Sequence, residues 1–239
     1  MAEPLFSGAA PTPDLQLFPF WQKVLTDMAD TAPAGQPPQP PQPQPVAFTG
    51  AVPALVPATP AQAPCADERH CIPAAWTDFL AGLKGLDSRA QMEAVNRWAN
   101  AKPYVEDIAN WGVPDYWETP GEFIAHGGDC EDFAIAKYFS LVRLGFAARD
   151  MRIAVVSDSK AHDFHAVLVV NIDGAEWLLD NQIAQMVPLA EAPQYTPIYA
   201  LNEQGWWLQS RPVIQIAANF VITTAPAAAP ATVQLAKAN

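Results

Sequence analysis

The stretch Gly127-Gly128-Asp129-Cys130-Glu131-Asp132-Phe133-Ala134-Ile135-Ala136-Lys137-Tyr138-Phe139-Ser140-Leu141-Val142-Arg143-Leu144-Gly145 decides the fold. Over residues 130–144 apolar side chains occupy nearly every face, which is the pattern of a helix buried on most sides. Gly145 is placed to end it. Cys130 falls in the first turn, where the positive end of the helix dipole and the free amides stabilise a thiolate. A cysteine alone there reads first as a buried structural thiol. Its downstream company changes that reading.

After Gly145 the hydrophobic period shortens. Residues 151–157 and 166–172 are rich in β-branched side chains, Asp173-Gly174 is a hairpin signal, and residues 176–180 form the return strand. His165 stands at the start of one strand and Asp180 at the end of the next. Folding back across Asp173-Gly174 brings the carboxylate beside the imidazole. A cysteine at a helix N-terminus, a histidine on a strand and an aspartate on the neighbouring strand form the nucleophile, base and orienter of a thiol hydrolase. Upstream, residues 76–86 read as a short helix with Trp76, Phe79, Leu80 and Leu83 on one face. A second helix opens at Ser88, where Ser88-Arg89-Ala90-Gln91 reads as a capping box, and continues through Met92, Val95 and Ala99. Residues 102–128 read as a polar, Trp-rich connection. Helices first and antiparallel strands afterwards give an α+β domain.

Outward from this body the composition changes. Eleven of the 25 prolines lie in residues 31–64, as in Pro37-Pro38-Gln39-Pro40-Pro41. Repeated proline fixes φ and removes amide donors, so this segment reads as a linker or semi-rigid spacer. The expected organisation is a short N-terminal segment over residues 1–30, the linker over 31–64, the domain over 65–222 and a disordered Ala/Pro-rich tail over 223–239. The apolar patch at residues 15–25, with Phe18, Phe20 and Trp21, reads as a short docking segment.

The 25 acidic against 13 basic residues give a net charge of -12, which disfavours binding to nucleic acid or anionic lipid. No apolar run approaches the 18 or so residues of a membrane span. The first residues lack a basic and apolar signal region, so the expectation is either a cytoplasmic chain or one whose signal was removed before this numbering begins.

Four segments together resemble the bacterial transglutaminase-like cysteine proteinases of the LapG type. They are Trp117-Glu118-Thr119-Pro120-Gly121-Glu122-Phe123, Gly128-Asp129-Cys130-Glu131-Asp132-Phe133-Ala134-Ile135-Ala136-Lys137-Tyr138, His165-Ala166-Val167-Leu168 and Leu179-Asp180-Asn181. Asn202 and Gly205-Trp206-Trp207-Leu208 resemble the family's closing motif, and the match spans about residues 65–210. The resemblance implies a papain-like fold with Cys130 as nucleophile, His165 as base and Asp180 as orienter. It also implies a periplasmic or secreted location, proteolysis of large surface adhesins, and control by an inner-membrane receptor that senses cyclic di-GMP. The proline-rich spacer and the pair Cys65 and Cys71 depart from the pattern.

Eight carboxylates and no Lys or Arg lie between Glu106 and Asp132, and Asp129, Glu131 and Asp132 fall within two residues of the nucleophile. Like charge opposes the thiolate. Bound Ca2+ would offset it, since clustered hard oxygen ligands suit that ion. The resemblance implies calcium on Asp129 and Glu131; the plainer reading is that these acids cap the helix. The amide of Cys130 is one candidate oxyanion donor, and the indole of Trp111 or Trp117 another, though their plainer role is to wall the cleft. His162 forms a weak His-x-x-His pair with His165, His126 could approach the site, and His70 reads as exposed. Cys65 and Cys71 are spaced for a small disulfide loop that leaves Cys130 free, or for a redox or metal pair. The expected function is a calcium-dependent thiol endopeptidase. The alternatives are a transglutaminase-type acyl transferase and a non-catalytic envelope binding module.

Overall fold

The computed structural model describes residues 5–6, 10–31 and 67–208. Six helices precede six strands: α1 (Pro19–Asp30), α2 (Ala74–Leu83), α3 (Ser88–Asn100), α4 (Asp107–Asn110), α5 (Pro120–His126) and α6 (Cys130–Leu144), then β1 (Met151–Asp158), β2 (Asp163–Ile172), β3 (Ala175–Leu179), β4 (Val187–Pro188), β5 (Tyr195–Asn202) and β6 (Gly205–Leu208). The strands form one sheet in the order β4-β3-β2-β1-β5-β6, and every neighbouring pair is antiparallel. The architecture is α+β, as the change of period predicts.

α6 is the central helix because its sequence leaves it no polar face. Ala134, Tyr138 and Leu141 share a core with Ile153, Leu168, Leu179 and Leu201 of the sheet. The opposite face of the sheet buries Ala154, Val156, Val167, Val169 and Leu178 against Leu5, Leu189 and Tyr195. Strands covered on both faces read as continuous apolar runs, as β1 and β2 do. Gly145 ends α6 in the left-handed region at φ 98°, where only glycine avoids a steric penalty.

Several local expectations need correction. The first core helix starts and stops earlier than residues 76–86: it ends at Leu83, followed by Gly85 at φ 92°, and Leu86 is exposed. The cap of α3 is Asp87, whose carboxylate accepts from the Ala90 amide at 2.9 Å. Ser88 is already helical, and Gln91 turns away to donate to the Leu83 carbonyl at 3.1 Å. The Ser88 capping box is therefore not formed, and the cap falls one residue earlier as a single bond, because aspartate caps as well as serine does. Residues 102–128 are not merely a connection, since they contain α4 and α5. In α5, Thr119 and Glu122 form the capping box. β2 begins at Asp163, which places His165 inside the strand, and β3 stops at Leu179, which leaves Asp180 just beyond it.

The patch at residues 15–25 is not a free docking segment. It lies largely in α1, whose Trp21 and Val24 are fully buried. The Trp21 indole packs edge-on against Tyr138 at 5.7 Å and donates to the Asn202 carbonyl at 3.1 Å. Apart from Thr31, the proline-rich residues 31–64 lie outside the described residues, as do Cys65 and the tail over 223–239.

Candidate active site

Cys130 is the first residue of α6. The helix start is fixed by a reciprocal cap between Asp129 and Asp132, in which the Asp132 Oδ2 accepts from the Asp129 amide at 3.0 Å. Asp132 Oδ1 accepts from the Glu118 amide at 2.8 Å and so ties the Trp117–Glu118 segment to the same turn. Asp129 and Asp132 thus act as caps, while Glu131 is left facing the thiol: Cys130 Sγ donates to Glu131 Oε2 at 3.0 Å.

Across the cleft, β2 and β3 meet in the register Leu168 opposite Leu179. The turn between them is Asp173-Gly174, with φ of 53° and 81°, the two positive values that a tight hairpin of this kind requires. The return strand therefore delivers Asp180 to His165: His165 Nε2 and Asp180 Oδ1 are 2.8 Å apart, both side chains buried. Asp180 Oδ1 also accepts from the Gln182 amide at 2.9 Å, and Oδ2 from the Tyr195 hydroxyl at 2.6 Å. These bonds hold Asp180 below the ordinary carboxylate range even though burial pushes it the other way. A carboxylate accepts only, so Nε2 carries the proton and Nδ1 is the unprotonated, basic nitrogen. Gln182 Nε2 lies 3.4 Å from that nitrogen. Neither Tyr195 nor Gln182 was signalled by the sequence, since each lies in a segment without a chemical motif.

Cys130, Glu131 and His165 line one cleft, with Tyr104, Pro114, Trp117, Phe164 and Ala166 as walls and Glu106, Asp115 and Asp163 among its polar residues. The Ala166 backbone amide favours the thiolate, but burial and the Glu131 and Asp129 charges push the Cys130 thiol well above its ordinary value. The two indole candidates separate. Trp111 Nε1 donates to Glu118 Oε1 at 2.7 Å and is outside the cleft lining. Trp117 lines the cleft, and its Nε1 is buried without a hydrogen-bond partner among the described residues.

The acidic window converges in space. One oxygen each from Asp107, Asp115 and Glu131 lie within 4.8 Å of one another, as do oxygens of Asp107, Asp129 and Asp132. Burial, then Asp129, pushes Glu131 well above the carboxylate range. Burial, then Glu118 and Glu131, does the same to Asp132. Glu118 is pushed up to about 8, mainly by burial. So many buried oxygens cannot all stay ionised without a cation, and an all-oxygen donor set suits Ca2+. Asp107 and Asp115 were not singled out in the sequence, because only folding brings them to Glu131.

The other histidines stand apart from the cleft. His126 Nε2 meets Glu68 Oε2 at 2.5 Å and packs edge-on against Trp111. His70 pairs with Asp67 at 2.8 Å and with Asp27 at 3.5 Å. His162 sits in the turn before β2 at φ 58°. Cys130 is the free cysteine among the described residues.

Residues 65–212 match the model of the bacterial transglutaminase-like cysteine proteinases, BTLCP. No curated protein sequence matches. Among solved structures, EGTA-treated LapG of Legionella pneumophila is 33% identical with a TM-score of 0.53, over 57% of this chain and 75% of that one. The calcium-bound form of the same protein is 31% identical with a TM-score of 0.52, over 59% and 82%. The chain accordingly belongs to the bacterial transglutaminase-like cysteine proteinases and is a cysteine peptidase of that fold.

Proposed function

We propose that the chain is a calcium-dependent thiol endopeptidase of the cell envelope, with Cys130 as nucleophile, His165 as base and Asp180 as orienter. The observation that carries the reading is the 2.8 Å contact of His165 Nε2 with Asp180 Oδ1, in a cleft that also holds Cys130 at the start of α6. With Nε2 committed to Asp180, His165 Nδ1 takes the proton of Cys130, and the thiolate attacks a peptide carbonyl. The oxyanion is met by the Cys130 amide and the unpartnered Trp117 indole N–H. His165 returns its proton to the leaving amine, and water then hydrolyses the thioester.

Calcium is assigned to Asp129 and Glu131, with Asp107 and Asp115 completing the oxygen set. When bound, its positive charge offsets the acids that oppose the Cys130 thiolate. The calcium-bound structure of Legionella LapG supports calcium as the ion. A periplasmic or secreted location, a large surface adhesin or other envelope protein as substrate, and control by a cyclic di-GMP receptor complete the proposal. So does a Cys65–Cys71 disulfide, whose small loop would leave Cys130 as the free thiol.

The test is incubation of the wild-type chain and Cys130→Ala with candidate surface adhesins, with calcium and with excess chelator, followed by mapping of the cut sites. Cleavage by the wild type in calcium alone is expected. Full cleavage in chelator would remove calcium from the reading, and incorporation of an added amine in place of cleavage would make the enzyme an acyl transferase.

A further inference from the structure

The paired residues of β2 and β3 end at Leu168 opposite Leu179, so Asp180 lies just past the ladder. Residues 180–186, which lead to β4, contain no helix or strand. Among the described residues, no backbone-to-backbone hydrogen bond outside the helices and strands reaches this segment. A side chain does. Asn100, the last residue of α3, donates from Nδ2 to the Asp180 carbonyl at 2.7 Å and to the Ile183 carbonyl at 3.3 Å. Both partners can only accept, so the carboxamide must turn its NH2 group toward them. Its Oδ1 is buried without a hydrogen-bond partner among the described residues. An unpaired buried acceptor is unfavourable, so the benefit of this asparagine lies at its donor end.

What the donor end holds is the turn that grips His165. Asp180 Oδ1 lies 2.8 Å from His165 Nε2, and Gln182 Nε2 lies 3.4 Å from His165 Nδ1. One short segment thus meets both ring nitrogens. The turn is tied internally by the Gln182 amide, which donates to Asp180 Oδ1 at 2.9 Å, and the Tyr195 hydroxyl reaches Oδ2 at 2.6 Å from β5. Those bonds aim the carboxylate within its own turn and against the sheet. Asn100 ties the same turn to the helices. Met92 and Val95 of α3 share a core with Ile135 and Tyr138 of α6, and α6 begins at Cys130.

We propose that Asn100 is a positioning residue of this site: by holding the carbonyls of Asp180 and Ile183, it fixes the turn that meets His165 relative to the helices that carry Cys130. Without it the turn can drift, and a displacement of about 1 Å in such a group can cost on the order of a hundredfold in rate. As Asp180 swings away, His165 Nε2–H loses its acceptor and the ring is released to the other tautomer. The inference rests on Asp180 being the orienter of His165.

The test uses the full chain at saturating calcium, as wild type, Asn100→Leu, Asp180→Asn and the double variant. Three properties are read: the rate of Cys130 alkylation by iodoacetamide, the nitrogen NMR resonances of the His165 imidazole, which report its tautomer, and thermal melting. Asn100→Leu is close in size but has no donors. It is expected to melt cooperatively a few degrees below wild type, to alkylate about tenfold more slowly, and to show a mixture of His165 tautomers in place of the Nε2–H form. In the Asp180→Asn background the same change is expected to have no further effect on alkylation, whereas a general loosening of the fold would slow both backgrounds equally. Asn100→Asp, equal in size and also without the donors, is expected to be slow as well, and it stands in if Asn100→Leu does not fold. A wild-type alkylation rate or an unchanged tautomer in the folded Asn100 variants, or equal slowing in both backgrounds, would overturn the proposal. An Asp180→Asn chain that alkylates like wild type would instead sink the assignment of Asp180 as orienter.

Discussion

Glu131 concentrates the chemistry of the site in one residue. Its carboxylate accepts the thiol of Cys130 and shares a space within 4.8 Å with oxygens of Asp107 and Asp115. Because burial raises Glu131, Asp132 and Glu118 above their unfolded values, the folded chain holds more protons than the unfolded one. Stability is then fully present below the ordinary carboxylate range and is lost as pH rises through the raised values. Calcium acts in the opposite sense, since it binds the deprotonated acids and its affinity grows with pH. In chelator the melting temperature is therefore expected to fall between pH 5 and about 8, the value reached by Glu118. In saturating calcium that fall should flatten or reverse. Parallel pH profiles in the two conditions would show that no cation is held by these acids.

At the scale of elements, the decisive joint is the Gly127-Gly128 approach to α6. A Cβ on Gly128 would lie 2.4 Å from Asp132 Oδ2 and 2.6 Å from Asp132 Cβ, so alanine there must push the cap aside. Losing a cap costs about 0.5–2 kcal/mol, and moving the first turn moves the nucleophile. Gly145, at the other end, has a positive φ but open space around it, so alanine costs about 1 kcal/mol of backbone strain and no repacking. Denaturant midpoints are expected to drop for both variants, while only Gly128→Ala slows alkylation of Cys130, by tenfold or more. Equal alkylation rates would mean that the cap does not position the thiol. This joint was legible in the sequence because glycines, acids and an apolar helix follow one another without a gap. The His165–Asp180 pair was legible for a similar reason, since a two-residue turn fixes the register of its hairpin. What escaped reading depended on distance along the chain. Tyr195 on β5 reaches Asp180 only after β5 has paired with β1. Asp107 and Asp115 meet Glu131 only after the chain around Tyr104 has paired with Gly128 at the approach to α6.

For the whole molecule, the N-terminal region belongs to the body it precedes. Leu5 is buried against the outer face of the sheet, Thr12 bridges to Trp206 on the edge strand, and α1 buries Trp21 beside α6. The two described ends that flank residues 32–66 meet in space: Asp27 of α1 lies 3.5 Å from His70 Nε2 and 3.9 Å from Arg69 Nε. Arg69 continues to Glu122 of α5 at 3.4 Å, and a Cβ on Gly121 would meet the Glu68 carbonyl at 2.1 Å, so this corner is closely packed. The described residues on either side of the segment 32–66 therefore meet at one corner of the body. Loop closure depends only weakly on length, so replacing that segment with about ten residues of Gly and Ser changes stability by about 1 kcal/mol. The shortened chain is expected to melt cooperatively within a few degrees of wild type and to alkylate Cys130 at the same rate. Deleting residues 1–31 along with the loop strips Trp21 and Val24 from the core, and at about 3–5 kcal/mol for the loss of a buried Trp alone that chain is expected to melt far lower or not to fold. The comparison is read by thermal melting and iodoacetamide labelling of the three chains. If the short-loop chain behaved like the deleted one, the proline-rich residues would themselves be part of the folded body.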